Sequence, residues 1–259
     1  MEGPREVQVL ITTINEMSEQ IEVNQQSQRD FIANVSHDLK TPLTSIQGFA
    51  QAILDGTAYD PTSLRKAASV IYEEAGRMYD MVLDLLDLAR MDSGIAEFRN
   101  EPVDINDLLQ KVIDKFTPQA KEAQVELLFR SEVIPVIRGD ADKLAQVFSN
   151  LLDNAVKYSP PAGQVVLTSR LSDSWLEVQI SDTGPGITPG EFERVFDRFY
   201  QMDKSRHGNT HGVGLGLAIA REIVIAHGGS ISVINRTNAE IDHKNSQEQG
   251  SIFIVRLPI

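Results

Sequence analysis

The sequence contains no cysteine, so disulfide bonds, thiolate metal sites and cysteine nucleophiles are excluded. It also contains no run of about 18 apolar residues, the length that a membrane-spanning helix requires. The first residues, MEGPREVQVL, do not form the apolar segment of a signal peptide. These absences predict a soluble chain that is compatible with a reducing compartment.

Clustered positive charge is absent as well. The 24 lysines and arginines are outnumbered by 37 aspartates and glutamates, which gives a formal net charge of −13. Because contacts with nucleic-acid phosphates need clustered Lys and Arg, this balance argues against a nucleic-acid partner. With 41% hydrophobic and 24% charged residues, the 259 residues can form one large domain or two ordinary ones.

The segment from Phe31 to Ile53, FIANVSHDLKTPLTSIQGFAQAI, places one histidine on a predicted amphipathic helix. Apolar residues at spacings of three and four indicate one buried stripe. They are Ile32, Val35, Leu39, Pro42, Ile46, Phe49 and Ile53. His37 lies roughly 200° around the helix from Val35 and from Leu39. We therefore expect its imidazole to project into water.

The neighbours of His37 favour a reactive histidine over the solvated surface residue that most exposed histidines are. The Asp38 carboxylate can accept a hydrogen bond from one ring nitrogen, which fixes the tautomer and leaves the other nitrogen nucleophilic. Thr41 lies one turn away on the same helix face. Pro42 removes a backbone N–H there and is predicted to loosen the helix.

A second long helix is predicted after this segment. Glycine ends the first helix near Asp55-Gly56, and Asp60 is predicted as the N-cap of a helix that begins at Pro61. The second helix carries a heptad seam of Leu64, Ala68, Ile71, Ala75, Met78, Val82, Leu85 and Ala89. An antiparallel hairpin of two such helices leaves both stripes half covered, which predicts dimerisation into a four-helix bundle.

The residues before the hairpin form a predicted coiled-coil seam, which consists of Leu10, Ile14, Met17 and Ile21. The polar residues 24–28 interrupt this stripe, so the seam is predicted to be weak or re-phased there. A frayed helical tail and the end of a signal-transmitting linker are both compatible with this pattern.

Beyond a predicted linker at residues 91–100, the pattern changes to mixed helices and strands. Helices are predicted at 105–123, 140–158 and 214–226, and strands at 125–129, 164–171, 175–180, 230–233 and 252–257. Because the two types do not alternate regularly, they predict a two-layer α+β sandwich. Residues 235–249 are polar and are predicted to form a loop between the last two strands.

Two motifs in this half have the chemistry of a nucleotide site. In NLLDNAVKYS, Asn150 and Asn154 are four residues apart on one helix face, and their carboxamide oxygens can ligate Mg²⁺. Lys157 adds a positive charge for phosphate and Tyr158 an aromatic wall. In the second motif, SDTGPGI, a carboxylate that can accept the adenine amine follows a predicted strand, and glycines let the backbone pass close to the base. The residues concerned are Asp182, Gly184, Gly186 and Ile187.

Two further motifs follow in order. In FDRFYQMDKSR, the aromatic residues can anchor a lid while a basic residue reaches phosphate; the aromatics are Phe196, Phe199 and Tyr200, and the basic residues are Arg198, Lys204 and Arg206. HGVGLGLAIA places Gly212, Gly214, Leu215 and Gly216 before a helix whose free N–H groups can bind phosphate oxygens. It is neither a dinucleotide-binding fingerprint nor a Walker loop.

The segment SHDLKTPLTSI resembles the H box of sensor histidine kinases. The four later motifs resemble, in order, the N, G1, F and G2 boxes of the ATP-binding domain that these kinases share with gyrases, mismatch-repair ATPases and ninety-kilodalton chaperones. The resemblance covers about Phe31 to Pro258, and PREVQVLITTINEMSEQI resembles the last helix of a HAMP domain.

This resemblance implies three segments: a coiled-coil or HAMP-like linker remnant at 1–29, a dimerisation and histidine phosphotransfer domain at 30–95, and a catalytic ATP-binding domain at 96–259. His37 would be the phosphoacceptor and Asp38 its acid/base partner. Thr41 would orient the water that hydrolyses an aspartyl phosphate on a response regulator. The implied fold is a helical hairpin forming a dimeric four-helix bundle, followed by a two-layer α/β sandwich.

The resemblance also implies ATP and Mg²⁺ as cofactors, with Asn150 and Asn154 holding the metal. The implied partners are the receiver domain of a response regulator and a second copy of the chain. The implied location is the cytoplasm, with a membrane involved only through a missing N-terminal segment.

Two other functions remain open from the residues alone. An ATPase or chaperone of the same nucleotide fold would give no role to His37 and its neighbours. A non-catalytic dimeric scaffold would have a degenerate ATP site, and the intact Asn154 and Asp182 argue against it. The sequence does not reveal the input signal, the cognate regulator or the balance of kinase and phosphatase activity. It also does not reveal whether phosphorylation occurs within a subunit or across the dimer.

Overall fold

The computed structural model describes residues 5–201, 214–236 and 250–259, and in the first helix it describes side chains at 13–15, 17–18, 26 and from 29 onward. Residues 237–249 of the loop predicted at 235–249 lie outside these ranges, as do the side chains of Leu10 and Ile21. Asn235, which the sequence placed in that loop, is instead the last residue of a strand. The chain divides into two compact units, Met1–Val82 and Leu83–Ile259. No helix among the described residues combines the length and apolar character that crossing a bilayer requires.

Two long helices dominate the first unit. Helix α1 (Arg5–Leu54) continues without interruption through the polar stretch at 24–28 and through Pro42, and helix α2 (Pro61–Asp92) follows a short connection. The connection has the predicted stop and start signals. Gly56 has φ of +71°, and the Asp60 carboxylate accepts hydrogen bonds from the backbone N–H groups of Thr62 at 2.9 Å and Ser63 at 3.0 Å.

The predicted seam of α2 is only partly buried. Ala67, Met81 and Leu88 are buried, although each stands one position before a residue of the predicted seam. Five residues of the predicted seam are exposed: Leu64, Ala68, Ala75, Val82 and Ala89. The buried face is therefore rotated from the predicted seam and shares only part of it. A strip of apolar side chains on α2 is therefore exposed in a single chain. Such exposed apolar surface is what the predicted dimerisation of the hairpin would cover.

The second unit contains the mixed sheet and helices that the pattern predicts. Its helices are α3 (Ile105–Glu122), α4 (Ala141–Tyr158) and α5 (Gly216–Ala226). Its strands are β1 (Glu101–Val103), β2 (Glu126–Ser131), β3 (Ile137–Gly139), β4 (Gln164–Ser172), β5 (Trp175–Ser181), β6 (Ser230–Asn235) and β7 (Ser251–Pro258). Strands β1 and β3 were not predicted, and they form a separate antiparallel pair.

The main sheet has the strand order β2-β4-β5-β7-β6, in which only the β2–β4 pair is parallel. The three helices bury their apolar faces in one core with the sheet, which makes two layers. Fully buried members of this core include Leu109, Phe148, Leu151, Leu176, Ile180 and Ile219. The last turns of α2 also belong to this unit, because Leu88 lies in the same core.

Helix α4 is fixed at its start by Asp140. The Asp140 carboxylate accepts hydrogen bonds from the backbone N–H groups of Asp142 and Lys143, both at 3.1 Å, and of Arg99 at 3.0 Å. Burial alone would raise the pKa of Asp140, but the hydrogen bonds from Arg99 and Lys143 and the charge of Arg99 hold it below its usual value.

Replacing Asp140 with alanine is expected to lower the free energy of unfolding by about 1–2 kcal/mol at pH 7, the usual cost of losing an N-cap. A carboxylate whose pKa is lowered in the folded state stabilises above its unfolded pKa of about 3.9 and loses this effect as the pH falls through the folded pKa. The deficit should therefore shrink below about pH 4 in urea unfolding curves. Asp140→Asn, which keeps the cap, is the matched control; an equal deficit at pH 3 and pH 7 would contradict this assignment.

Candidate functional site

His37 is exposed on α1, as the helical spacing predicts. Its side chain is 71% accessible, and its Nδ1 lies 3.0 Å from Asp38 Oδ1. A neutral imidazole that donates from Nδ1 to this carboxylate keeps a lone pair on Nε2. The Thr41 hydroxyl points back to the His37 carbonyl oxygen at 3.4 Å. Pro42 is buried, so the imidazole stands on the opposite side of the helix from the apolar stripe.

The second unit encloses a cavity of about 250 Å³ at one end of the main sheet. The sequence-predicted residues that line it come from α4, from the loop after β5 and from the start of α5. They are Asn150, Asn154, Lys157, Tyr158, Asp182, Gly186, Ile187, Gly214, Leu215 and Gly216. Three motifs that are far apart in the sequence therefore meet at one site.

Asp182 is the buried anion of this cavity, with 4% of its surface exposed. Its Oδ1 accepts from the Gly184 N–H at 2.7 Å and the Ser251 N–H at 3.3 Å, and its Oδ2 accepts from the Ser251 hydroxyl at 2.5 Å. A carboxylate has about four acceptor positions. Three protein donors hold it in place, and one position remains for a donor in the cavity, such as an exocyclic amine.

Helix α4 supplies one wall of the cavity. Asn150 donates from Nδ2 to the Gly216 carbonyl oxygen at 2.9 Å, which ties α4 to the start of α5. The Lys157 ammonium lies 5.4 Å from the centroid of the Tyr158 ring. Burial, followed by the nearby charge of Asp153, raises the pKa of Tyr158. The phenol thus remains neutral, while Lys157 supplies positive charge.

The start of α5 is built to face an anion. Gly216 is the first helical residue, and Leu215, the residue before it, offers no side-chain cap to the first N–H groups. Those groups and the positive end of the helix dipole favour phosphate oxygens. Because Gly214, Leu215 and Gly216 all line the cavity, the anion-binding end of α5 and the Asp182 carboxylate belong to the same site.

Comparison with known proteins agrees with this arrangement. Residues 139–259 match the family described as "Histidine kinase-, DNA gyrase B-, and HSP90-like ATPase", and residues 27–94 match "His Kinase A (phospho-acceptor) domain". Sensor protein SrrB of Staphylococcus aureus is 35% identical over 249 residues, which are 96% of this chain and 41% of SrrB. The solved structure of the mycobacterial sensor histidine kinase MprB has 32% identity and a TM-score of 0.53, over 61% of this chain and 97% of that one.

The chain belongs to the sensor histidine kinase family. The family predicted from the H, N, G1, F and G2 boxes is thus confirmed, as is the fold of two long helices followed by an α/β sheet domain. A further solved structure, full-length ShkA in complex with AMPPNP, is 30% identical with a TM-score of 0.63, over 87% of this chain and 45% of that one. This histidine kinase chain spans less than half of the SrrB sequences that it matches.

Some predicted site residues of this histidine kinase do not line the cavity. Gly184 packs behind it, where an added Cβ would lie 2.9 Å from the Tyr158 carbonyl oxygen. Arg198, predicted to reach phosphate, instead forms a two-pronged ion pair with Asp92 at 2.7 and 2.5 Å. Phe199 does not line the cavity, but its backbone N–H donates to the carbonyl oxygen of Gly214, which does. Gly212, Lys204 and Arg206 lie outside the described residues.

The cavity also contains residues that were not predicted to bind the nucleotide, namely Asp84, Asp153, Pro185, Val195, Tyr200, Gln201, Leu217, Ser251 and Phe253. Burial and a hydrogen bond to Glu191 raise the pKa of Tyr200 to about 12, so its hydroxyl stays protonated. The Phe196 and Phe253 rings meet edge to face at 6.3 Å. Ser251 is the first residue of β7 and follows Gly250, and no spacing in the sequence assigned it a role in the site.

The donor set fits Mg²⁺. Asn150 uses its Nδ2 toward Gly216, so its Oδ1 remains available to a cation, and no described residue hydrogen-bonds the Asn154 carboxamide. Mg²⁺ is usually held by one or two protein oxygens together with substrate phosphates and water, rather than by an all-protein cage. Accordingly, the described residues contain no cluster of three or more His, Cys, Asp or Glu suited to a metal.

A backbone hydrogen bond connects Gly214 with Phe199, which lies on the other side of residues 202–213 in the sequence. The Gly214 carbonyl oxygen accepts from the Phe199 N–H at 2.8 Å, and both residues have left-handed backbone, with φ of +62° at Phe199 and +73° at Gly214. A Cβ on Gly214 would lie 2.7 Å from the Tyr200 carbonyl oxygen. Only glycine fits this contact without moving the backbone.

Gly214→Ala is therefore expected to raise the KM for ATP by about tenfold, because the clash and the strained φ displace the start of α5. The measurement is the rate of autophosphorylation against ATP concentration. Gly190→Ala is the matched control: Gly190 also has positive φ, +96°, but an added Cβ meets nothing within 4 Å. Equal KM values for the two variants would contradict the proposed role of the contact.

Proposed function

We propose that this histidine kinase transfers the γ-phosphoryl group of ATP to His37 and then to an aspartate in the receiver domain of a response regulator. The observation that carries the proposal is the combination of an exposed imidazole, oriented by Asp38, with a separate cavity that contains a buried carboxylate and a helix N-terminus. The similar full-length ShkA was solved in complex with AMPPNP, which supports nucleotide binding by this chain.

The tautomer of His37 suits it as the nucleophile. With Nδ1–H donated to Asp38, the Nε2 lone pair attacks the γ-phosphorus in line with the leaving oxygen. An N–P bond forms, the bond from the γ-phosphorus to the bridging oxygen breaks, and ADP leaves. The ring becomes more positive as the bond forms, and the Asp38 carboxylate stabilises that charge and can accept the Nδ1 proton.

The cavity residues have complementary roles in this proposal. The Asp182 carboxylate accepts a hydrogen bond from the adenine amine, and Lys157 and the first N–H groups of α5 bind the phosphates. Asn150 and Asn154 would hold Mg²⁺, which when bound supplies charge neutralisation to the phosphates. The hydrogen bond from the Phe199 N–H to the Gly214 carbonyl oxygen holds the residues just before α5 in place, and with them the phosphate-binding end of that helix.

We propose a second activity for the same helix, dephosphorylation of the response regulator. Thr41 lies one helical turn from His37 on the exposed face, where its hydroxyl can orient a water molecule toward an aspartyl phosphate docked there. The uncovered apolar strip of α2 supports a homodimer of the hairpin. Because this chemistry uses ATP and a response regulator, we propose that it occurs in the cytoplasm. The chain matches 41% of SrrB, which supports the proposal that it is the cytoplasmic part of a larger sensor.

The experiment is incubation of the wild-type chain with [γ-³²P]ATP and Mg²⁺, followed by addition of a receiver domain. The expected result is a phosphoprotein that is labile in acid and stable in alkali, from which the label moves to the receiver domain. ATP hydrolysis without a phosphoprotein would favour the ATPase alternative. Absence of ATP binding, measured with and without Mg²⁺, would favour the scaffold alternative.

A further inference from the structure

The loop after β5 forms part of the cavity wall without belonging to a helix or strand. Residues 182–188 have no regular secondary structure, and Gly186 and Ile187 line the cavity. Ile187 is 5% exposed, so its backbone N–H and C=O both need partners inside the protein. Asp182 fixes the start of the loop through the Gly184 N–H. The other end needs an anchor of its own.

Asn235 supplies this anchor from the end of β6. Its Oδ1 accepts from the Ile187 N–H at 2.7 Å, and its Nδ2 donates to the Ile187 carbonyl oxygen at 2.7 Å. A backbone N–H can only donate and a carbonyl can only accept, so this pair of partners fixes the orientation of the carboxamide. The Asn235 side chain thus supplies the two backbone hydrogen bonds of Ile187 that a neighbouring strand would supply in a sheet.

The two loop anchors are neighbours across the last strand pair. Asn235 is paired with Ser251 in the β6–β7 register, and the Ser251 hydroxyl donates to the Asp182 carboxylate. Ser251 therefore holds the start of the loop and Asn235 holds Ile187. Gly186 lies against Asn235 with φ of +72°, where an added Cβ would lie 3.0 Å from Asn235 Oδ1 and 3.3 Å from the Gly250 carbonyl oxygen. One cross-strand pair sets the shape of this cavity wall.

We infer that Asn235 is a positioning residue for the nucleotide: it holds Gly186 and Ile187 in the shape that binds the adenine side of ATP. The inference rests on the proposed ATP site. A loop that is already in its binding shape costs less to order when the ligand arrives. Loss of Asn235 should therefore weaken nucleotide binding while leaving the chemistry at His37 unchanged.

The experiment measures the Kd for ATP by calorimetry and the rate of autophosphorylation at saturating ATP, in wild type, Asn235→Ala and Asn235→Ser. In the alanine variant the Kd is expected to rise by about tenfold, from the loss of two partly buried hydrogen bonds, with the saturated rate within about twofold of wild type. The serine variant, whose hydroxyl can replace one of the two bonds, should fall between wild type and alanine.

Asn106→Ala is the matched control. Asn106 also makes two side-chain hydrogen bonds, to the Glu132 carbonyl oxygen at 2.8 Å and from the Ser169 hydroxyl at 2.7 Å, but it does not line the cavity. Its Kd for ATP should equal that of wild type even if its melting temperature falls. If Asn235→Ala does not fold, the inference is tested by comparing the Kd for ATP of Asn235→Ser with that of Asn106→Ala. A higher Kd in Asn235→Ser is the expected result.

Two failures are distinguishable. A wild-type chain that binds no ATP would overturn the proposed function, and this inference with it. Wild-type binding together with an unchanged Kd in the folded Asn235 variants, or a lowered saturated rate with an unchanged Kd, would overturn the inference alone.

Discussion

Replacing His37 with glutamine is expected to abolish acid-labile phosphorylation of the chain by ATP, by roughly 10³-fold or more, because glutamine has no nucleophilic ring nitrogen. Binding of ATP should change by less than about twofold, since His37 does not line the cavity. The measurement combines ³²P incorporation with the Kd for ATP. Helix α1 should be preserved, because the side chain is 71% exposed and its loss uncovers no core.

His243→Gln is the matched control for this substitution, since it removes the same group at a histidine outside the described residues. It should incorporate ³²P like wild type. Labelling that persists in His37→Gln would show that another residue receives the phosphoryl group. Labelling that disappears equally in both variants would show that the loss is not specific to His37.

Replacing Asp182 with asparagine is expected to lower the affinity for ATP by about 100-fold, with a parallel loss of phosphorylation at low ATP concentration. The carboxylate faces the Gly184 N–H, the Ser251 N–H and the Ser251 hydroxyl, all of which donate. In asparagine, an NH₂ group replaces one of the two carboxylate oxygens. That group would face hydrogen-bond donors of the protein, and it could not accept a hydrogen bond from the adenine amine. A buried group without its partners costs more than a merely absent hydrogen bond.

The control for Asp182 is Asp114→Asn, the same change at an exposed carboxylate on α3 that accepts from Gln110. It should leave the Kd for ATP unchanged. The loss in Asp182→Asn should also be smaller for inorganic triphosphate than for ATP, because only ATP offers the amine. Equal losses for both ligands would indicate collapse of the cavity rather than loss of adenine recognition.

Local signals predicted the elements that carry the site. The Asp60-Pro61 start, the Gly56 stop and the positions of α3 and α4 depend on capping and periodicity within a few residues, and the structure has them where the sequence indicated. The exposure of His37 follows from helical geometry alone. The three-residue strands β1 and β3 give no periodic signal, so they could not be read from the sequence.

Contacts between distant residues could not be predicted from spacing. The pairing of Arg198 with Asp92 joins residues 106 positions apart, and it leaves the guanidinium engaged where the motif suggested a phosphate ligand. The bonds of Asn235 to Ile187 span 48 positions. Each depends on the sheet register and on how the loops fold over it, which a single sequence does not determine. The motifs indicated which residues meet, and the register shows what holds them there.

In the proposed reaction, the γ-phosphoryl group of ATP bound in the cavity is transferred to one exposed imidazole. The most direct test of this transfer is mass-spectrometric mapping, at neutral pH, of the wild-type chain after reaction with ATP and Mg²⁺. We predict phosphate on the peptide that contains His37, removed by mild acid and retained in alkali. Phosphate on a serine, a threonine or another histidine, or ATP consumption with no phosphopeptide, would contradict the account.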